Sequence, residues 1–255
     1  MRQIMVIAGK DLKETLRTGP FYIYSALAFV FAVVVGIRAL GGVVGGRIDA
    51  LIEEGFSPAQ VVAAIEPIMG TILFMFSLVL IWWLCMYGSL YNLTMEKTKR
   101  SLESLLCTPL RLRQVCLGKS LAIFLPSVTV GLLLAFAAIA GADQLLLAPQ
   151  IGRSIMPGGP LVTTTLIAVP VIAFCFVSLL VTLQLMIAKI QWVNGVLAGL
   201  VGAVMIALNY GLFRFGLEPW SIVVVSLTVA AVLALVTIFL FRLATKERIV
   251  LSSRG

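Results

Sequence analysis

Six stretches of this chain stay apolar for about 20 residues or more, the length a helix needs to cross a hydrocarbon core of about 30 Å. They cover residues 21–40, 69–93, 120–141, 161–188, 192–213 and 221–243. Runs of this kind leave few folds open. Every backbone amide and carbonyl placed in lipid needs an internal partner, and only helices and closed barrels supply one. The runs are continuously apolar rather than alternating, so helices are expected and barrel strands are not. Composition decides against reading the same runs as the core of a soluble domain. Charged residues make up 12% of the chain and apolar ones 61%, where a soluble domain carries about 25% charged residues. The first run follows a charged stretch of twenty residues, ends at Arg38 without a small-residue cleavage pattern and is too long for a signal-peptide core. It reads as a retained span.

The charges then orient the spans. Arg2, Lys10, Lys13, Arg17, Lys97, Lys99, Arg100, Arg111, Arg113, Lys119, Lys189, Arg242, Lys246, Arg248 and Arg254 fall on one side of a six-span topology, fifteen in all. The other side receives four: Arg38, Arg47, Arg153 and Arg214. Cations favour the cytoplasmic face, so both chain ends are expected there. The net charge of +8 is explained by this placement, and no basic module for nucleic acid is present. The expected fold is an all-α membrane protein of six transmembrane helices, N-in and C-in, forming a single transmembrane domain over 1–255.

Outside the spans, three segments carry structure. In residues 1–20, Ile4, Met5, Ala8, Leu12 and Leu16 recur at helical spacing, with Arg2, Lys10, Lys13, Glu14 and Arg17 turned elsewhere. Such an amphipathic helix lies in the membrane surface with its cations near anionic headgroups. After the first span, Ser57-Pro58 reads as an N-cap followed by proline at the first helical position, and Val61, Val62 and Ile65 make a short apolar face ending before Pro67. A small external helix on the membrane rim is expected there. The segment 142–160, with its Pro-Gly-Gly-Pro stretch, is expected to dip or turn at the interface.

Absences narrow the chemistry. The six runs hold no Asp, Glu or His, the residues that mark proton relays and ion sites within membranes. No nucleophile–base pair or metal site can be assembled from them, so catalytic and metal residues are expected to be none. Thr163, Thr164, Thr165, Ser178, Thr182, Gln184, Asn194 and Asn209 are the polar groups available inside, and interhelical hydrogen bonding is their usual role. Gly195, Gly199 and Gly202 invite close helix contact on the fifth run. Of the four cysteines, Cys85 and Cys175 fall inside spans as small packing residues, while Cys107 and Cys116 face the cytoplasm. Aromatic side chains gather near the span ends (Phe21, Tyr22, Tyr24, Tyr87, Trp192, Trp220), as an interfacial belt or as the lining of a route for an amphiphile. Trp82 and Trp83 sit mid-span and, with Asn194 and Asn209, are the candidates for a translocation path.

The loop between the second and third runs reads MEKTKRSLESLLCTPLRLRQVCLGK from Met95 to Lys119. Leu102, Leu105 and Leu106 occupy one side of a short helix and Glu103 and Ser104 the other, and Pro109 ends it. A short apolar helix between charged ends suits docking of a cytosolic partner. This pattern resembles the loop of ABC-2 type transporter permeases, matching at Glu96, Leu102, Glu103, Leu105, Leu106, Thr108, Pro109, Leu110, Gly118 and Lys119, with Ser101 in place of threonine. It departs from the family at Thr98, Arg100 and Gln114. The opening Lys10-Asp11-Leu12-Lys13-Glu14 also resembles the family's interfacial helix.

The resemblance implies a plasma (inner) membrane subunit of a prokaryotic exporter. A second copy would stand beside this chain, and two cytosolic ATPase subunits beneath would use ATP and Mg. Carried over residue by residue, Glu96, Leu102, Glu103, Leu105, Thr108 and Pro109 are the ATPase-coupling contact. The chain itself is expected to bind no cofactor. Gly118-Lys119-Ser120 mimics the end of a phosphate loop, but Arg113 stands where glycine belongs and no strand precedes it. With few polar groups in the spans, the expected cargo is a lipophilic or amphiphilic compound. The alternative is a mechanotransmission or assembly subunit that moves no solute and relays ATPase motion to an extracytoplasmic protein through residues 47–67.

Overall fold

The structure is a computed structural model that describes residues 2–98, 112–155, 157–187 and 219–243, with isolated positions 195, 196, 199 and 202. Among these, helices account for nearly all of the chain. They are α1 (Arg2–Arg17), α2 (Gly19–Ala39), α3 (Gly46–Glu53), α4 (Pro58–Thr98), α5 (Leu112–Ala142), α6 (Ala148–Ile151), α7 (Gly159–Met186) and α8 (Pro219–Leu243). Wide π turns at Leu40–Gly45 and Asp143–Leu147 join α2 to α3 and α5 to α6.

Four stretches are long and apolar enough to cross a membrane: Gly19–Arg38, Pro58–Met95, Leu112–Ile151 and Leu161–Met186. They correspond to the first four runs of the sequence. In α8 the apolar stretch is Leu227–Leu240. The fifth run, with Asn194 and Asn209, lies outside the described residues apart from the isolated positions.

Side-chain contacts fix how the helices run. Tyr24 stacks on Tyr87 at 4.4 Å and Phe31 on Trp83 at 6.0 Å, so α2 and α4 are antiparallel. Gly131 meets Ile81 and Gly88 meets Ile123, which sets α5 antiparallel to α4. Gly70 lies against Leu161 and Ser89 bonds Gln184, so α7 runs parallel to α4. The chain therefore passes up, down, up and down through one bundle.

Two apolar clusters fill the bundle. One joins α4, α5 and α7 around Phe74, Ile81, Val177 and Leu180. The other joins α2, α4 and α5 around Ala28, Leu73, Leu80 and Ala135, and continues into Ile48, Leu147 and Ile155 at the bundle's end. The faces turned outward are equally apolar. Leu27, Val30 and Val34 on α2, Ile167 on α7 and Leu235, Ile238 and Phe239 on α8 are all exposed. A surface of that kind is stable against lipid and not against water.

The element before the second span differs from expectation. Residues 58–66 do not end as a separate rim helix at Pro67; they are the first turns of α4, which is 41 residues long with Pro67 inside it. At about 1.5 Å per residue such a helix is about 60 Å long, twice the hydrocarbon thickness of a bilayer. Proline costs one helical bond there. Burial of Ile65, Met69 and Leu73 on one continuous face offsets it. The start is as expected, with Pro58 at the first position. Gln60 Oε1 accepts from the Ser57 amide at 3.0 Å and from the Ser57 hydroxyl at 2.9 Å, the reciprocal half of a capping box.

At the same end, the segment after α5 stays helical through the π turn and α6 before it turns at Gly152. Asp143 organises this turn. Its carboxylate is buried, and accepts from the Ile155 amide at 3.0 Å and from the Ser154 hydroxyl. Asp143→Ala strips a buried amide of its acceptor, which costs about 2 kcal/mol. The expected result is faster tryptic cleavage after the exposed Arg153, by about tenfold, measured on detergent-solubilised protein.

Candidate functional site

The opposite end of the bundle gathers the segments that the sequence singled out. The start of α2, the end of α4, the start of α5 and the end of α7 meet there, and α1 packs across α5. Its cations include Lys10, Lys13, Arg17, Lys97, Arg113 and Lys119, against Asp11, Glu14 and Glu96. The other end carries Arg38, Arg47 and Arg153 against Asp49, Glu53, Glu54, Glu66 and Asp143. The charge asymmetry read from the sequence is thus a property of the two ends of the folded bundle.

Three long-range polar contacts hold the cationic end together. Lys119 Nζ bonds Asp11 Oδ2 at 3.1 Å, joining α5 to α1. The lysine side chain is 6% exposed and the aspartate 17%. An ammonium so deeply placed needs an opposite charge to remain ionised, and the carboxylate supplies it. One turn along α1, Thr15 accepts from Asn92 Nδ2 at 3.0 Å, tying α4 to the same helix. Deeper in, Gln184 Nε2 donates to Ser89 Oγ at 3.1 Å and links α7 to α4.

These contacts give α1 a protein-facing side that its apolar stripe does not reveal. Its packed face is Ala8 and Thr15, with Asp11 and Leu12 half-buried beside them, while Met5 and Leu16 are exposed. The apolar stripe groups Met5 and Leu16 on the membrane side together with Ala8 and Leu12. Met5 and Leu16 stay free to meet lipid, while Asp11 and Thr15 find partners on the protein side. Lys10, Lys13, Glu14 and Arg17 are exposed, in agreement with the pattern of the sequence. Cys116, expected to face the cytoplasm, is instead buried in the first turns of α5.

Of the coupling residues, Glu96 lies in the last turn of α4. Leu102, Glu103, Leu105, Thr108 and Pro109 lie outside the described residues. Their attachment points are close in the fold, since α4 ends and α5 begins at the same end of an antiparallel pair. Gly118, Lys119 and Ser120 are all buried within α5, and the Ser120 hydroxyl bonds the Cys116 carbonyl at 2.8 Å. They form no phosphate-cradling loop.

No protein-family model matches this sequence, and no curated protein or solved structure does.

The path candidates divide. Trp82 packs on the α4–α5–α7 cluster and Trp83 on the α2–α4–α5 cluster, where it also lies 4.9 Å from the Tyr87 ring. Both indole N–H groups are shielded from solvent and have no acceptor among the described residues. Two buried donors on adjacent residues carry a real cost, about 1–3 kcal/mol each. The threonines behave locally instead: Thr163, Thr165 and Thr182 bond carbonyls one turn back in α7. Interhelical bonding falls to Gln184. Among the described residues no cluster of His, Cys, Asp and Glu is fit to hold a metal ion.

Proposed function

We propose that this chain is the permease subunit of an ATP-driven exporter of the ABC-2 type, working as a pair of copies above two separate cytosolic ATPase subunits. One observation carries the reading. The Asp11–Lys119 bond clamps together the two segments that resemble that family, the Lys10–Glu14 stretch and the Gly118-Lys119 end of the loop. A load applied to the loop reaches α5 and α1 together, as coupling to an ATPase requires. In this reading the cationic end faces the cytoplasm, both termini lie there, and the fifth and sixth runs complete six spans in a prokaryotic plasma membrane. The cargo is lipophilic or amphiphilic. In support, the buried hydroxyls of α7 are mostly engaged with their own helix, and little is left to hold a hydrophilic solute. The two acceptor-less indoles of Trp82 and Trp83 are the groups best suited to meet it.

The well-packed opposite end favours a second reading. There Ile48, Leu147 and Ile155 are fully buried and Asp143 locks the turn, which suits relay of motion to an extracytoplasmic protein.

Purification with a candidate ABC ATPase subunit tests both. The ATPase is expected to co-purify and hydrolyse ATP, and Glu103→Arg to weaken that association about tenfold, as loss of a charged contact implies. Absence of binding, with hydrolysis unchanged by this chain, overturns the proposal. ATP-dependent uptake of amphiphilic dyes into inverted vesicles favours export. Coupled hydrolysis without uptake favours relay.

A further inference from the structure

Two helices that run side by side widen into π turns at the same level, Leu40–Gly45 after α2 and Asp143–Leu147 after α5. We infer that the two turns form one two-state joint, on which α3 and α6 reorient together at that end of the bundle. The joint belongs to the bundle itself and goes beyond the exporter reading, which it does not need.

Three observations carry it. First, the turns are paired in space. A Cβ added at Gly36 would meet Ala138 Cβ at 3.6 Å, about one turn before each widening. One added at Gly41 would meet Leu146 Cδ1 at 3.5 Å, where the two turns touch. π turns hold well under about 1% of protein residues and fall frequently at functional sites, so two in contact call for a reason. Second, a π turn is a stretch of α-helix with one residue to spare. Passing that residue along rotates the helix that follows by about 100° and moves it by about 1.5 Å. Such a joint has discrete settings rather than a continuous bend.

Third, the two turns differ in what holds them. Gly41, Gly42 and Gly45 make up half of the first one, and glycine weakens a helix. The second is bolted. In its first position, the Asp143 carboxylate accepts from the Ile155 amide at 3.0 Å and from the Ser154 hydroxyl, both beyond α6. Val44 and Ile48 on one arm, and Leu147 and Ile155 on the other, are buried in the same apolar cluster. Rewinding one turn draws its arm out of that cluster and unpacks the other arm, so the two move as a unit. Asp143 thereby holds both turns, including the glycine-rich one that it does not bond among the described residues.

Hydrogen exchange read by mass spectrometry, on the full chain in nanodiscs, tests the joint. Peptides covering 40–48 and 143–151 are expected to exchange at one common rate, faster than the preceding turns at 28–36 and 130–138. Asp143→Ala is expected to speed exchange about tenfold in both segments, as loss of a buried acceptor implies. Deletion of Gly42 removes the spare residue and keeps Val44 and Ile48 in register with α2. It is expected to leave the chain folded and to slow both segments several-fold. Deletion of Val30, in a regular stretch of α2, shifts the register and is expected to unfold the chain. No acceleration in Asp143→Ala, or acceleration confined to 143–151, overturns the proposal, since a purely local bolt would do no more. A Gly42 deletion that unfolds the chain as the Val30 deletion does, or that leaves 143–151 unchanged, overturns it as well.

Discussion

Asp11→Leu is expected to lower the stability of the solubilised protein by about 3 kcal/mol, the lower end for removing one partner of a buried ion pair. In a chain of this size that is a fall of roughly 6–12 °C in the apparent Tm. The substitution removes the carboxylate that a lysine only 6% exposed bonds at 3.1 Å. Lys119→Met is expected to cost less, about 1–2 kcal/mol, because Asp11 is 17% exposed and can turn to water. The double variant Asp11→Leu/Lys119→Met removes both charges and is expected to regain most of the loss, since an apolar pair of similar volume is often as stable as a buried ion pair. Thermal unfolding of the three variants in one detergent checks the order. If all three fall equally, the pair is not what joins α1 to α5.

How much of this is legible in the sequence follows from what each residue needs to know. Four apolar runs can be read directly, because a helix crossing lipid satisfies its own backbone, and no distant residue alters that requirement. The face that α1 packs cannot. Its apolar stripe includes Met5 and Leu16, and the true face includes Asp11 and Thr15, whose partners Lys119 and Asn92 are 108 and 77 residues away. Both halves of the ion pair stand in motifs that resemble one family, yet spacing carries no sign that they meet. Pro67 misleads for the opposite reason. A local rule stops a helix there, and the buried row Ile65, Met69, Leu73 carries it through. The π turns and the Asp143 lock are also hidden: residues 142–160 are legible only as a segment that turns at the interface. Trp82 and Trp83 are marked by their mid-span position, and the structure adds that their donors lack acceptors among the described residues.

Gly131→Ala should separate helix propensity from packing in this bundle. In an exposed helix the change gains about 0.8–1 kcal/mol, and Gly141, where an added Cβ would meet nothing within 4 Å, is the internal control. At Gly131 the added Cβ would stand 2.5 Å from Ile81 Cγ1 and 3.2 Å from Ile81 Cα. The side chain alone could rotate aside, but the backbone of α4 cannot yield without shifting the whole pair. Ile81 is itself 1% exposed and anchors the larger apolar cluster, so the strain is not relieved by a local move. Overpacking of this kind costs about 1–3 kcal/mol, enough to reverse the propensity gain. Gly141→Ala is therefore expected to hold or raise the apparent Tm, and Gly131→Ala to lower it by several degrees. Adding Ile81→Ala to Gly131→Ala removes Cγ1 but leaves the added Cβ pressed against the α4 backbone, so, relative to Ile81→Ala alone, it should restore only part of the loss. Full recovery would mean that the side chain, and not the approach of the two backbones, sets the spacing of α4 and α5.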